Sequence, residues 1–140
     1  MIKKNVLIIG SGSIAQRHIK NLQDRNFLNL DLYSGSKSQQ DIIKKKFSKI
    51  NIINKDDRKK NYDYIIYANA SYERFKFFYK FYNINSKVYF EKPLACNILQ
   101  SKIFKNKDNK ITKDNFIAGF QLRAHPLLQK VAKIISKNKD

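Results

Sequence analysis

An apolar run, a glycine-containing turn and an amphipathic segment follow one another directly at the start of this sequence. Residues 6–9 are all apolar and have the length of a strand, which is typical of a parallel strand buried on both faces. Beyond the turn, Ala15, Ile19 and Leu22 recur at helical spacing, with polar residues between them. The order predicts a buried strand, a tight turn and a helix, which is the opening unit of a parallel α/β sheet.

The turn itself carries Gly10, Gly12 and Ala15, which match the spacing G-x-G-x-x-G/A. In that pattern the first glycine makes the tight turn, the second lets a pyrophosphate approach the backbone, and the small third residue allows close packing of helix on strand. The helix start adds free amides and a positive dipole end. A tight turn without any ligand is the alternative. The strand and the helix on either side favour a dinucleotide-binding site.

Strand and helix patterns alternate along the rest of the sequence. Strands are predicted at residues 30–33, 50–53, 64–68, 87–90 and 116–120, and helices at residues 38–47, 98–104 and from Pro126 onward. A further helix after Ser71 is predicted to pack a stripe of Phe75, Phe78, Tyr79 and Tyr82 into the core, in preference to a base-stacking platform. The alternation predicts an α/β fold of the Rossmann type, a doubly wound parallel sheet in three layers (α/β/α), with residues 1–140 as one dinucleotide-binding domain.

The charge is strongly positive, with 29 Lys and Arg against 11 Asp and Glu and a net charge of +18. Lysines are spread over nearly every predicted helix and turn, so we expect no specific nucleic-acid site; a nucleic-acid binder is kept as a weaker alternative. Cys96 is the single cysteine, and no His, Cys or carboxylate cluster has metal-ligand spacing, so we expect no metal. The short apolar run at the N-terminus is neither a signal peptide nor a membrane span, which predicts a cytoplasmic protein.

The end of the second predicted strand bears on the choice between NAD and NADP. NAD-binding sheets place an Asp or Glu there for the ribose hydroxyls, whereas this sequence has Ser34, Gly35, Ser36 and Lys37. Asp31 falls inside the strand and not at its carboxyl end. Two hydroxyls and an ammonium suit a 2'-phosphate better than a bare diol, so we expect NADP in preference to NAD. The alternative is that Lys37 is one more solvated lysine.

Three separated stretches resemble the glucose-fructose oxidoreductase and inositol dehydrogenase family, written Gfo/Idh/MocA. Residues 10–22 resemble its nucleotide-binding turn and first helix, including the Arg-His and Asn-Leu pairs. Residues 91–95 resemble its Glu-Lys-Pro motif after the fifth strand. Residues 118–126 resemble its sixth-strand segment, in which a Gly-aromatic pair precedes an Arg and a Pro. Order and spacing both fit, so the three stretches together are more specific than any one alone.

The resemblance implies an NAD(P)-dependent oxidoreductase that transfers hydride between a nicotinamide cofactor and a sugar-like hydroxyl or carbonyl. It implies that Lys92 lies beside the reacting carbon and polarises the substrate oxygen. The cofactor-binding residues expected from turn, strand ends and resemblance together are Gly10, Ser11, Gly12, Ser13, Ile14, Ser34, Ser36, Lys37, Asn69, Glu91 and Lys92. Taken alone, residues 91–93 would fit a plain strand exit that Pro93 terminates.

The sequence also departs from the family. Arg74 stands where members usually carry His in the loop after the fourth strand, and the usual Pro of that loop is absent. Family enzymes continue into a second α+β domain that binds substrate, so we expect 140 residues to be incomplete or inactive alone, and oligomers only in a longer form. We expect His18 to be a hydrogen-bonded structural residue, and His125 either to line the crevice or to cap a helix. A non-catalytic NAD(P)-sensing or degenerate nucleotide-binding module is the alternative function.

Overall fold

A computed structural model describes residues 2–53, 60–104, 111–112, 114–120 and 125–137. The strands are β1 (Lys4–Ile9), β2 (Leu28–Tyr33), β3 (Ile50–Ile53), β4 (Tyr64–Tyr67), β5 (Lys87–Phe90) and β6 (Phe116–Ala118). The helices are α1 (Ser13–Leu22), α2 (Lys37–Lys46), α3 (Arg74–Phe81), α4 (Ile98–Ile103) and α5 (Pro126–Lys137). These bounds agree with the predicted elements to within a few residues.

The strands form one six-stranded sheet in the order β3-β2-β1-β4-β5-β6. Every pairing is parallel, with Leu7 of β1 opposite Asp31 of β2 on one side and Ile65 of β4 on the other. The sheet confirms the predicted doubly wound Rossmann-type fold. Because the chain builds outward from β1 in both directions, β1 lies at the point where strand order reverses. Ligands of such sheets bind outside the carboxyl ends of the strands at this point.

Helices cover both faces of the sheet, as the alternating side chains of β1 require. The core on the α1 and α2 side consists of Val6, Ile8, Ala15, Ile19, Leu30, Leu32, Ile43, Phe47 and Ile50. The core on the α3 side consists of Leu7, Ile9, Tyr33, Ile53, Tyr62, Ile65, Tyr67, Phe75, Phe78, Phe81, Val88 and Phe90. Each fully buried aliphatic side chain contributes about 1.5–3 kcal/mol, so this packing holds the strand ends in fixed relative positions.

The predicted stripe of α3 is wrong in part. Phe75 and Phe78 are buried, but Tyr79 is 59% exposed, and Tyr82 is half-buried at the helix C-cap. Phe81 fills the core position instead. The reason is the direction of the helix face: residues three apart point to the sheet, while Tyr79 follows Phe78 by one residue and so points about 100° away.

The predicted C-terminal helix is present, and its apolar side chains are exposed. Val131, Ile134 and Ile135 of α5 are each about half exposed, and α5 has no buried residue. Among the described residues, no helix combines the length and apolar character that crossing a bilayer requires.

Candidate functional site

The turn after β1 can be formed only with glycine at its first position. Gly10 has φ of +114° and donates its amide to the Tyr33 carbonyl at 2.9 Å, which continues the β1–β2 ladder. A Cβ on Gly10 would lie 2.8 Å from the Asn69 nitrogen and 2.9 Å from the carbonyl carbon and oxygen of Ala68. At Gly12 a Cβ would meet nothing within 4 Å. The backbone at Gly12 therefore borders open space, which would allow a ligand to approach it closely.

The start of α1 borders this space with amides that have no acceptor within the helix. Gly12 is the N-cap, in extended conformation and without a side-chain cap, and the first helical bond runs from the Gln16 amide to the Gly12 carbonyl at 3.0 Å. The amides of residues 13–15 precede that bond and have no acceptor within the helix. No acidic residue lies in the first turn. Free amides and the positive dipole end make this a site for an anion.

A first cleft of about 480 Å³ opens at the carboxyl ends of β1, β2 and β4. It brings together six of the sequence-predicted residues, namely Gly10, Ser11, Gly12, Ser34, Ser36 and Asn69. Two of them are already joined, because the Ser34 hydroxyl donates to the Ser11 hydroxyl at 3.0 Å. Ser36 is the N-cap of α2 and accepts from the Gln39 amide at 3.5 Å. Its hydroxyl thus lies where α2 presents its own positive end to the cleft.

Other predicted residues lie outside the first cleft. Ser13 and Lys37 are exposed first residues of α1 and α2 and line neither this cleft nor the second one described below. Asp31 is 1% exposed in the middle of β2, where its carboxylate accepts from Lys60 Nζ at 2.7 Å and the Tyr62 hydroxyl at 2.9 Å. Asp31 is thus bound within the fold, away from the strand end where a ribose would lie.

A second cleft of about 420 Å³ lies on the β5 side and contains Ile14, Asn69, Glu91 and Lys92. Lys92 closely follows β5, its side chain is exposed, and the Lys92–Pro93 peptide bond is cis. Glu91 is 6% exposed. These residues place an exposed ammonium at the carboxyl end of the sheet, beside the helix that carries the open amides.

The carboxylate beside Lys92 is already paired. Glu91 Oε1 accepts from His18 Nε2 of α1 at 2.8 Å, and the His18 ring stands edge-on to Tyr89, with ring centroids 5.4 Å apart. His18 therefore has a hydrogen-bonded structural position, and it ties α1 to the strand end that precedes Lys92.

Asn69 belongs to both clefts and has unsatisfied polar atoms. Its side-chain Nδ2 and Oδ1 are buried, and neither has a hydrogen-bond partner among the described residues. Buried polar groups are normally paired, and each exception calls for an explanation such as a missing ligand. An amide that offers both a donor and an acceptor between the two clefts fits a polar ligand that runs from one into the other.

Arg74 lines the base of the second cleft, with its terminal nitrogens turned toward the backbone of the surrounding loops. Its side chain is buried and donates to the carbonyl oxygens of Asn69 at 2.9 Å, Pro93 at 2.6 Å and Glu91. Burial lowers the pKa of the Arg74 guanidinium from its usual value, and the Glu91 carboxylate opposes that shift. The residue that departs from the family pattern is thus bound to the backbone of both loops that line the second cleft.

Sequence reasoning missed several residues that line the clefts. Tyr33, Glu73 and Phe77 line the first cleft and Arg17 lines the second. Phe77 and Glu73 could have been found from their position just after β4, since segments that follow neighbouring parallel strands meet at one edge of the sheet. The predicted core stripe of α3 included neither of them, and no role was assigned to either.

His125, at the start of the C-terminal helix, lines neither of the two clefts. The His125 carbonyl accepts from the Gln129 amide at 3.0 Å at the start of α5, and its side chain is exposed. Residues 121–124, which carry the Arg of the family resemblance, lie outside the described residues. No group of three His, Cys, Asp or Glu residues that could hold a metal ion is found within the described ranges.

Comparison with known protein families gives a match that covers most of the chain. Residues 4–110 match the Gfo/Idh/MocA model, described as an oxidoreductase family with an NAD-binding Rossmann fold. No curated protein sequence matches the chain.

Solved structures share the fold at low sequence identity. Scyllo-inositol dehydrogenase from Lactobacillus casei with NAD(H) and scyllo-inositol is 17% identical, with a TM-score of 0.75 over 98% of this chain and 42% of that one. Myo-inositol 2-dehydrogenase from Lactobacillus plantarum is 20% identical, with a TM-score of 0.75 over 96% of this chain and 41% of that one. A 3-ketoreductase mutant from Actinomadura kijaniata with TDP-benzene and NADP is 15% identical, with a TM-score of 0.73 over 96% and 44%. The chain thus spans less than half the length of these neighbours.

Proposed function

Because the chain belongs to the Gfo/Idh/MocA oxidoreductase family, we propose that it is the cofactor-binding part of an enzyme that moves hydride between NADP and a sugar-like hydroxyl or carbonyl. The observation that carries the proposal is that the open glycine turn, Lys92 and the Asn69 amide, which has no partner within the described ranges, meet at one edge of the sheet. Structural neighbours include enzymes described with NAD(H) and scyllo-inositol and with NADP and TDP-benzene. We place the protein in the cytoplasm.

The two clefts divide the cofactor between them. The end of β2 faces the adenosine ribose in this fold, so the first cleft takes the adenosine half and the second takes the nicotinamide half. The amides after Gly12 at the start of α1 bind the pyrophosphate between them. Asn69, which lines both clefts, donates and accepts hydrogen bonds toward the nicotinamide ribose.

NADP is preferred because of the residues at the carboxyl end of β2. In the place of the acid that binds a ribose diol, the chain has the hydroxyls of Ser34 and Ser36, followed by the first turn of α2 with Lys37. A 2'-phosphate gains hydrogen bonds from hydroxyls, attraction from the helix dipole, and screened attraction from the exposed ammonium.

Lys92 is the residue that would act on substrate. The bound nicotinamide supplies or accepts the hydride. The Lys92 ammonium, exposed in the second cleft, donates a hydrogen bond to the oxygen of the reacting carbon and so stabilises the charge that develops there. The neighbouring Glu91 carboxylate is hydrogen-bonded to His18.

Binding is tested by titration of the chain with NADPH and NADH while nicotinamide fluorescence is followed. We expect saturable binding of both and tighter binding of NADPH. Lys37→Met should weaken NADPH about threefold, as loss of one exposed charge contact does, and leave NADH unchanged. Lys45→Met, an exposed lysine in the last turn of the same helix, is the matched control and should change neither. Absence of saturable binding to either cofactor would refute the proposal.

Because the 140 residues are expected to be inactive alone, catalysis is tested with the chain fused to the substrate-binding domain of a family member, on a panel of cyclitols and sugars with nicotinamide absorbance as the readout. Lys92→Met should lower kcat/KM about a hundredfold or more, while Lys87→Met, an exposed lysine at the opposite end of the same strand, should leave it unchanged. Saturable cofactor binding by wild type with no turnover of any panel member would favour the NAD(P)-sensing module over the enzyme.

A further inference from the structure

We propose that Arg74 is a positioning residue, which fixes Lys92 and Asn69 relative to each other so that the nicotinamide half of the cofactor meets both loops of the second cleft at once. The inference rests on the proposed function. It concerns a residue that lines the base of the second cleft and to which the proposed function gives no contact with the reacting atoms; Arg74 acts through the two loops that it binds.

The guanidinium joins the two loops by a fork of hydrogen bonds. One terminal nitrogen donates to the carbonyls of Glu91 and Pro93, which flank Lys92 in the chain. The other donates to the carbonyl of Asn69, in the loop after β4. Lys92 is therefore held on both sides along the backbone, and the same side chain holds Asn69. The planar guanidinium sets the angle between these bonds, which a lysine ammonium cannot do.

The base of the fork is itself fixed in the fold. Arg74 is 2% exposed and is the first residue of α3, whose Phe75 and Phe78 are packed in the core. Its guanidinium also lies 5.7 Å from the centre of the Phe90 ring, on the last residue of β5. Arg74 therefore fixes the two loops relative to α3 and β5 as well as to each other.

The buried charge at this position is compensated by its hydrogen bonds. Removing a cation from water is costly, and the bonds to three backbone carbonyls offset that cost here. The three acceptors of the Arg74 guanidinium are backbone carbonyls of residues 69, 91 and 93, around the second cleft. What the charge adds there is a defined geometry of two loops, and the side chains those loops present to the cleft are Asn69 and Lys92.

The test compares two ligands that differ only in the nicotinamide half. NADPH and 2'-phospho-ADP, which lacks the nicotinamide and its ribose, are titrated, by calorimetry, against the wild-type chain, Arg74→Met and Arg74→Lys. Arg74→Met should weaken NADPH about tenfold, as loss of one or two hydrogen bonds from a charged donor implies, and leave 2'-phospho-ADP within about twofold. Arg74→Lys, which keeps the cation and loses the fork, should weaken NADPH about threefold and leave the fragment unchanged.

A control separates positioning from plain destabilisation. Phe78→Leu loosens the packing of the same helix without removing any bond to the loops, and it should change the affinity for both ligands by the same small factor. If Arg74→Met does not fold, Arg74→Lys alone decides. Equal weakening of both ligands by the Arg74 variants, or no weakening of either, overturns the inference while the proposed function stands. A wild-type chain that binds neither ligand overturns both.

Discussion

The glycine turn permits a quantitative test, because the fold requires glycine at position 10 whereas the proposed ligand requires it at position 12. Gly10→Ala should destabilise the fold. A positive φ of +114° costs a non-glycine residue about 1–3 kcal/mol. The added methyl would also lie 2.8–2.9 Å from backbone atoms of Ala68 and Asn69, which cannot rotate away, and overpacking of this kind costs about 1–3 kcal/mol. The sum, about 2–6 kcal/mol, is a large part of the 5–15 kcal/mol that holds a typical domain together.

Gly12→Ala is the matched variant and should leave the fold nearly unchanged. Gly12 has φ of −69°, which any residue adopts, and its Cβ would meet nothing within 4 Å. Alanine is a poorer N-cap than glycine by about 0.5 kcal/mol, and it restricts the unfolded chain by a similar amount in the opposite direction. The methyl would instead occupy the space into which a pyrophosphate must come. We therefore expect NADPH affinity to fall about tenfold or more.

Both variants are measured by urea unfolding and by NADPH titration. Because the sequence has no tryptophan and 8 tyrosines, far-ultraviolet circular dichroism and tyrosine emission report unfolding. The expected result is a crossed pattern, with stability lost in Gly10→Ala and binding lost in Gly12→Ala. A Gly10→Ala chain within about 1 kcal/mol of wild type would refute the strain argument. Wild-type affinity in Gly12→Ala would refute the placement of the pyrophosphate.

Other buried groups give three more testable expectations. Asp31→Ala should lower the free energy of unfolding by about 2–3 kcal/mol, because Lys60 and the buried Tyr62 hydroxyl lose their acceptor, and should leave NADPH affinity unchanged. Burial raises the pKa of Tyr67 well above its usual value, so stability that is present below the unfolded pKa of about 10 falls as pH rises toward the folded pKa. Tyr67→Phe should flatten that alkaline loss in urea unfolding. Asn69→Ala should keep or slightly raise stability, because unsatisfied buried atoms are removed, and should weaken NADPH in titration.

Each of these has a contrary outcome that is easily recognised. Weaker NADPH binding by a folded Asp31→Ala variant would indicate that Asp31 contributes to the ribose site. An alkaline profile identical in wild type and Tyr67→Phe would assign the loss to other groups, such as Tyr82 and Tyr89, whose pKa values burial also raises. A large loss of stability in Asn69→Ala would mean that its amide serves the fold and not a ligand.

The sheet could be predicted from the sequence because its strands are local and strongly patterned. Residues 6–9 are apolar on both faces, and the structure buries all of them in β1 between two neighbours. The sequence also predicted the position of Asp31, because a residue inside a strand does not contact a ligand bound beyond the end of that strand. Such features depend on period and register, which a sequence carries directly.

The features that the sequence did not disclose depend on contacts between distant segments. In the sequence, Arg74 is only a departure from the family pattern. Its structural role becomes visible in its bonds to the carbonyls of residues 69, 91 and 93. Because every residue has the same backbone carbonyl, the pattern of side chains does not predict which carbonyls accept hydrogen bonds from Arg74. The exposure of Tyr79 likewise depends on which face of a short helix meets the sheet. Five of the eight residues of α3 are aromatic, so the sequence does not determine which of its faces packs on the sheet.

Asn69 connects what would otherwise be two separate sites. Its backbone nitrogen lies against the position where Gly10 would carry a side chain, so it limits the turn at which we propose that the pyrophosphate binds. Its carbonyl accepts from Arg74, which also holds the backbone on both sides of Lys92. Its side-chain amide, buried and unpartnered among the described residues, lies between the clefts on either side. A single loop residue therefore contacts the glycine turn directly and, through Arg74, is joined to the backbone on both sides of Lys92.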